Sequence, residues 1–176
     1  MSDDIQLAQD VALDARSFLE TLEAVASGEA GSQAISLLLL DVARICVAGA
    51  QLGALNDVIL ESNVEPVVPS LPDIDELRAR LAEELGPADE YVEVFDPYGE
   101  EELVAYALSD DLTEIAGDLV HGLRHFDAGR SEESLWWWQF TYLNHWGNHA
   151  GAALRALQAV VAHVRLDALP EPSVGA

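Results

Sequence analysis

Lysine is absent from this sequence, and positive charge is scarce. The 176 residues contain 32 acidic side chains against eight basic ones, all arginine, and the formal net charge at pH 7 is −24. A protein that binds nucleic acid by neutralising phosphates needs a basic patch, and docking on anionic lipid needs basic clusters. We therefore predict neither a nucleic-acid partner nor a membrane partner. The absence of lysine also excludes Schiff-base chemistry.

Signals of export and of common catalytic sites are missing too. The N-terminus has no basic region followed by an apolar one, as a signal peptide would, and no run of 18 uncharged apolar residues is long enough to span a bilayer. The single cysteine, Cys46, cannot form an internal disulfide. These features favour a cytoplasmic protein. We find no P-loop, GxGxxG, GxSxG or CxxC motif, so we assign no catalytic residue and no cofactor.

Length and hydrophobic spacing predict the fold. At 19.0 kDa, with half of its residues apolar, the chain fits one globular domain. Apolar residues recur at helical spacing in residues 4–27, 32–62, 109–129 and 131–166, and residues 73–86 form a shorter helix. We predict an all-α, single-domain helical bundle over residues 1–169. It has four to five main helices, with the long C-terminal helix at its centre.

Three stretches depart from this helical pattern. Residues 62–72 contain three prolines and form a connector, because proline removes backbone donors and disfavours helical geometry in the preceding residue. Residues 170–176 form a flexible tail. Residues 91–95 alternate apolar and polar side chains as a strand does, but they could equally continue a helix.

The negative charge is concentrated in the middle of the chain. Residues 57–118 contain 19 acids and two arginines, a net charge of −17, whereas residues 119–176 carry −1. Solubility is the simplest explanation, since like charges keep molecules apart. A surface for a basic partner, mimicry of nucleic acid, and adaptation to high salt are the alternatives. We do not interpret this charge as the mark of an active site, and we expect any chemistry in the least charged third.

All four tryptophans lie in the predicted C-terminal helix, beside two histidines. His145 and His149 are one turn apart and point the same way, a spacing that lets two imidazoles bind one metal ion. A further ligand from another helix, such as a carboxylate, would be needed, and a structural role for both histidines is the alternative. Trp137, Trp138, Tyr142, His145 and His149 form a possible pocket or interaction surface.

Two glycine pairs and a second histidine pair add to this pattern. Gly49 and Gly53, and likewise Gly147 and Gly151, are one turn apart within predicted helices, which indicates close helix packing or space for a pocket. His121 and His125 share a stripe with Glu114 and Asp118, about 120° from the apolar face of their helix. We predict that this stripe faces solvent.

Four segments carry a resemblance to a known family. They are residues 136–149, 153–157, 91–98 and 111–122, and they resemble a bacterial helical family known only as a domain of unknown function, number 5063. The resemblance extends over roughly residues 15–166. It implies an all-helical soluble protein. It implies no activity, and it carries over no catalytic residue.

Three functions are consistent with these observations. A non-enzymatic module that binds a protein partner is favoured by the acidic middle, the missing catalytic motifs and an exposed Trp137. A bundle that binds a small molecule or a metal at His145 and His149, and that could be an enzyme, is the first alternative. An acidic mimic of nucleic acid is the second. The oligomeric state is open.

Overall fold

Six helices and one two-stranded sheet make up this computed structural model, which describes residues 2–54, 57–60, 73–94 and 103–167. The helices are α1 (Ser2–Ala26), α2 (Ala34–Ala54), α3 (Ile74–Leu85), α4 (Leu108–Asp127), α5 (Ser131–Thr141) and α6 (Gly147–Asp167). Short 3₁₀ turns at Gly31–Gln33 and Gly86–Ala88 flank α2 and α3. A π-helical turn, Tyr142–Trp146, joins α5 to α6. Strands β1 (Glu90–Val94) and β2 (Leu103–Ala107) pair antiparallel.

The predicted all-α bundle is confirmed, with local differences. The second helix ends at Ala54 and not near residue 62, and residues 57–60 are neither helix nor strand. The alternating stretch near residue 91 is a strand, because β2 supplies a partner that its own sequence does not reveal. The predicted connector, 62–72, and the predicted tail, 170–176, lie outside the described residues.

Each long helix buries the face that its apolar spacing predicts. The α1 face is at most 2% exposed at Val11, Ala15, Phe18, Leu22 and Val25. The matching faces of α2 and α4 are equally buried, at Leu38, Val42, Ile45 and Leu52 and at Leu112, Ile115 and Leu119. The α5 helix, the π-helical turn and α6 together form the predicted C-terminal helix, and we keep that name for them. This C-terminal helix contacts both α2 and α4. Its large side chains, Trp138 and Trp146, are fully buried in this core.

A buried carboxylate ties α1 to α2. Asp41 is only 4% exposed, and its two oxygens accept hydrogen bonds from Ser17, Thr21 and Arg44. A buried charge is tolerated only when it is paired and hydrogen-bonded. Asp41 therefore fixes how α1 and α2 face each other.

A second carboxylate connects the sheet to α4. Asp89, next to β1, accepts the backbone N–H of Ser109 at 2.7 Å and the Ser109 hydroxyl at 2.9 Å. The first N–H groups of a helix have no partner within the helix, and an acceptor of this kind satisfies one of them. The start of α4 is thereby held against the sheet.

Glycines allow aromatic rings to pack directly on helix backbones. A side-chain carbon added at Gly122 of α4 would overlap the Trp138 indole, and one added at Gly49 of α2 would overlap the Tyr142 ring. The Trp138 Nε1–H donates to the Leu119 carbonyl at 3.2 Å. The glycine pattern in α2 thus reflects close helix packing, one of the two predicted explanations.

In the part of the chain that the structure describes, one helical segment, Gly31–Ala54, is long and apolar enough to cross a membrane by length and composition alone. The core helix of a soluble bundle passes the same test. Here the segment contains the buried Asp41 and packs on α1 and the C-terminal helix.

The Trp138 contact predicts opposite outcomes for two glycines of α4. Gly122→Ala should destabilise the protein by about 1–3 kcal/mol, because the methyl group displaces a fully buried indole. In the control Gly117→Ala the new carbon meets only the Ile74 Cδ1 atom, at 3.8 Å. That change should stabilise the helix by up to about 1 kcal/mol. Urea unfolding measures both, and equal stabilities for the two variants would contradict the proposed contact.

Candidate functional site

An open cavity of about 610 Å³ lies where the sheet, the start of α4 and the C-terminal helix meet. Its lining combines aromatic, imidazole, amide and guanidinium groups with small residues. The lining residues are Tyr91 and Tyr106 from the sheet, Asp111 from α4, and Asn144, His145, Gly147, Asn148, His149, Gly151, Ala152 and Arg155 from the C-terminal helix. The volume is within the range of small-molecule sites.

A π-helical turn shapes the wall that carries the histidines. Such turns add one residue to a helical turn and occur frequently at functional sites. The Trp138 carbonyl, which lies before the turn, accepts the Trp146 indole N–H at 3.2 Å. A side-chain carbon at Gly147 would overlap the carbonyl oxygen of Tyr142. Only glycine therefore fits at 147 without moving the backbone.

The second glycine of this pair has a different role. A side-chain carbon at Gly151 would meet no atom within 4 Å, and Gly151 lines the cavity. The pair 147 and 151 thus combines both explanations offered by the sequence, a close approach at the first glycine and open space at the second.

His149 belongs to a hydrogen-bonded chain that crosses three elements. Its Nδ1 lies 2.7 Å from Asp111 Oδ1, and the Tyr91 hydroxyl donates to the other oxygen, Oδ2. Asp111 is only 4% exposed, whereas the His149 side chain is 30% exposed. A carboxylate accepts hydrogen bonds, so Nδ1 carries the proton. In the neutral ring, the other nitrogen of His149, Nε2, is then unprotonated and is the atom that can accept a hydrogen bond or a proton.

His145 has a similar arrangement one turn earlier. Its Nδ1 lies 2.7 Å from Asp118 Oδ2, and its Nε2 lies 3.8 Å from Glu114 Oε2. The two imidazole centroids are 5.0 Å apart, with the rings edge to face. Two neighbouring imidazoles are therefore each anchored through Nδ1 by an aspartate of α4.

These contacts shift the pKa values of the groups involved. The hydrogen bond to Asp111 is the main cause that raises the pKa of His149, and burial opposes it. Burial raises the pKa of Asp118, although its hydrogen bond to His145 acts in the opposite direction. Burial first, and then the bond to Asp111, raise the pKa of the Tyr91 hydroxyl. Tyr91 is therefore a stable hydrogen-bond donor at neutral pH.

The structure divides the five predicted site residues into two groups. His145 and His149 line the cavity. Trp138 is fully buried, and Tyr142 is half-buried against Gly49. Trp137 is also half-buried: its ring stacks on His121 at a centroid distance of 3.6 Å, and its Nε1–H donates to the Asp118 carbonyl. The expectation of an exposed Trp137 is wrong, because its ring stacks on His121 of α4 and is half-buried.

The solvent-facing stripe predicted on α4 is also wrong. His125 is 1% exposed and bonds Glu133 at 2.9 Å. His121 is half-buried, and no side chain or backbone group of the described residues forms a hydrogen bond with its Nε2. Burial, together with the nearby charges of His125 and Arg124, lowers the His121 pKa to about 4. Residues of the C-terminal helix contact this stripe and cover it in part, from the buried His125 to Glu114, whose side chain is 44% exposed. The spacing within α4 does not reveal that contact.

Most of the other lining residues, including Tyr91, Tyr106, Asp111 and Arg155, were not identified as site residues from the sequence. Tyr91 and Tyr106 are cross-strand partners whose rings stack at 5.8 Å. Asp111 resembles an ordinary acid in the first turn of a helix, and Arg155 follows His149 by almost two turns on the same helix. No local signal distinguishes them, because their shared position arises from pairing between distant elements.

No group of three or more histidine, cysteine or acidic side chains in the described ranges is already arranged to hold a metal ion. Glu114 is nevertheless the kind of third ligand, a carboxylate from another helix, that a site at His145 and His149 requires. The predicted metal site stays a prediction.

The hydrogen-bonded chain predicts how the His149 pKa responds to substitution. Asp111→Asn should lower this pKa, because it removes the main cause that raises it. Tyr91→Phe should raise the His149 pKa further, since the Asp111 carboxylate loses a hydrogen-bond donor that offsets part of its negative charge. Asp118→Asn is the control. It should lower the His149 pKa less, because Asp118 acts on His149 only through space.

These pKa values are measurable by NMR titration of the imidazole. Because the His149 pKa is raised in the folded protein, the contact with Asp111 stabilises the fold fully when the pH is below the pKa of the unfolded chain, near 6.5. This stabilisation is lost as the pH rises through the folded pKa. Asp111→Asn should remove that dependence, and an unchanged His149 titration in this variant would contradict the assigned hydrogen bond.

Comparison with known proteins identifies the family. A family model described as Domain of unknown function (DUF5063) matches residues 3–163. The crystal structure of protein BF1032 from Bacteroides fragilis is similar at a TM-score of 0.71 and 20% identity, over 95% of this chain and 94% of that chain. At this identity the likeness shows the fold alone. No curated protein matches the sequence. Because the family match spans nearly the whole sequence, the chain belongs to the family described as Domain of unknown function (DUF5063).

Proposed function

We propose that this protein binds a small polar molecule in the cavity beside His145 and His149. One observation carries the proposal: two adjacent imidazoles, each oriented by an aspartate of α4, line a cavity large enough for a small ligand. A site of this kind combines apolar walls with a few placed polar groups. Ordering two histidines through partly or fully buried carboxylates costs desolvation free energy, which binding or chemistry would explain.

The lining suggests which molecules to test. The stacked Tyr91 and Tyr106 rings offer an aromatic surface, while Asn144 and Asn148 offer amide donors and acceptors. A flat ring with one polar substituent matches both features. Benzamide and benzoate are suitable probes, since they share a ring and differ in charge.

A large side chain in place of Gly151 would fill the cavity without disturbing the helices. Gly151→Phe should weaken probe binding by about tenfold or more, because the new ring projects into open space at the cavity wall. Gly151→Ala is the matched control and should keep binding. Both variants should be at least as stable as the parent, since glycine is the poorest of these helix formers.

Binding is measured from chemical-shift changes of the Asn148 and His149 resonances during titration with each probe. The proposal predicts saturable shifts in the parent protein and in Gly151→Ala, and their loss in Gly151→Phe. Equal affinities in all three proteins, or no shift with any probe, would contradict it.

A divalent metal ion at His145 and His149 is a second candidate function. Histidines that ligate metals commonly donate their other ring nitrogen to a carboxylate, and both histidines have such a partner. Glu114, at 3.8 Å from His145 Nε2, would be a third ligand after a small movement.

Zinc titration tests this candidate. Calorimetry should give one site per chain in the parent protein and at least about a tenfold loss of affinity in His149→Gln. His163→Gln, which changes an exposed histidine of the same helix, is the control and should bind as the parent does. Equal zinc affinity in the parent and in His149→Gln would exclude this site.

The sequence-based predictions of a protein partner, of nucleic-acid mimicry and of a cytoplasmic location stay predictions. The first has lost one of its supports, since Trp137 is half-buried against His121 and not exposed. The acidic charge that motivated it is unchanged.

A further inference from the structure

We propose that His149 is a general base that activates water for the hydrolysis of a small neutral ester bound in the cavity. The inference rests on the proposed function and assigns a reaction to the same site. It comes from the juxtaposition of Tyr91, Asp111 and His149, a hydrogen-bonded chain that begins at the sheet and ends at the cavity wall.

Asp111 is placed to hold His149 in one tautomer and one orientation. Its Oδ1 accepts the Nδ1–H of His149, and its Oδ2 accepts the Tyr91 hydroxyl, so both oxygens are engaged. The Asp111 side chain is 4% exposed. A buried aspartate behind an imidazole stabilises the imidazolium that forms when Nε2 takes a proton. His149 therefore has the partner that a general base requires.

Water is the nucleophile that this lining favours. Among the lining residues that the structure describes, none is a serine, threonine, cysteine or lysine, the usual side chains that attack a carbonyl carbon. The Tyr91 hydroxyl is engaged as a donor to Asp111, and its raised pKa keeps its proton in place. A water molecule next to His149 Nε2 is then the group to be activated.

The reaction balances with these groups alone. Nε2 takes a proton from water while the water oxygen bonds to the carbonyl carbon, and the carbonyl oxygen becomes an oxyanion. Asn148 and Arg155 carry N–H donors in the same lining and would stabilise that oxyanion. When the tetrahedral intermediate collapses, the carbon–oxygen bond to the alcohol breaks, and the imidazolium returns its proton to the leaving oxygen.

Charge and shape narrow the substrate class. A protein with a net charge of −24 repels anionic esters. The stacked tyrosines suit an aromatic acyl or alcohol group. The substrate expected from both features is a neutral ester with a flat ring.

Hydrolysis of p-nitrophenyl acetate tests the inference, since this ester is neutral and carries such a ring. The parent protein should show saturable hydrolysis with kcat/KM about 100-fold or more above that of His149→Gln. His163→Gln is the control for nonspecific hydrolysis by a surface imidazole, and it should match the parent. Asp111→Asn should lose most of the rate through kcat, because it removes the orienting carboxylate and keeps the cavity.

Chemical rescue separates a catalytic role from a structural one. His149→Ala should be inactive, and added imidazole should restore a saturable part of its activity. A parent rate equal to that of His149→Gln, or a variant that imidazole does not rescue, would overturn the general-base assignment. If benzamide still binds in that case, the binding function stands without the chemistry. If no probe binds, both the proposed binding function and the general-base assignment fail.

Discussion

The close antiparallel contact between α4 and the C-terminal helix is the constraint on which the site depends. The Trp138 indole lies directly on Gly122 and bonds the Leu119 carbonyl. With that pair fixed, residues earlier in α4 face residues later in the C-terminal helix. Asp118 then meets His145, and Asp111 meets His149. One helix contact thus sets the register of both aspartate–histidine pairs.

The π-helical turn adjusts that register between the two ends of the contact. It adds a residue to the helical turn at Tyr142–Trp146, just where the aromatic part of the helix gives way to the histidines. The side chain of Trp146 bonds the carbonyl of Trp138, and Gly147 leaves space for the carbonyl of Tyr142. The aromatic residues and the glycine therefore serve the histidine site indirectly, through the shape of the backbone.

The acidity of the chain has a different meaning once the fold is known. From the sequence, the −17 carried by residues 57–118 has no connection with any site. In the structure, Asp111, Glu114 and Asp118 from that segment lie beside the histidines of the least charged third. Part of the acidic charge is thus directed inward, where desolvation and hydrogen bonding change its chemistry. The remaining acids of the segment are consistent with a role in solubility.

Sequence periodicity alone determined the helical bundle, because burial of one apolar face is a local property of each segment. Val11, Phe18 and Leu22 are buried in α1 as their spacing predicts, and the histidine pair that the spacing singled out does line the cavity. The tertiary structure alone decided what these histidines face. Tyr91 lies nearly 60 residues from His149, and Asp111 nearly 40, so only the packing of sheet, α4 and α6 could join them. The same packing half-buried Trp137 and His121 and fully buried His125, since whether a polar helix face meets solvent depends on the neighbour that covers it.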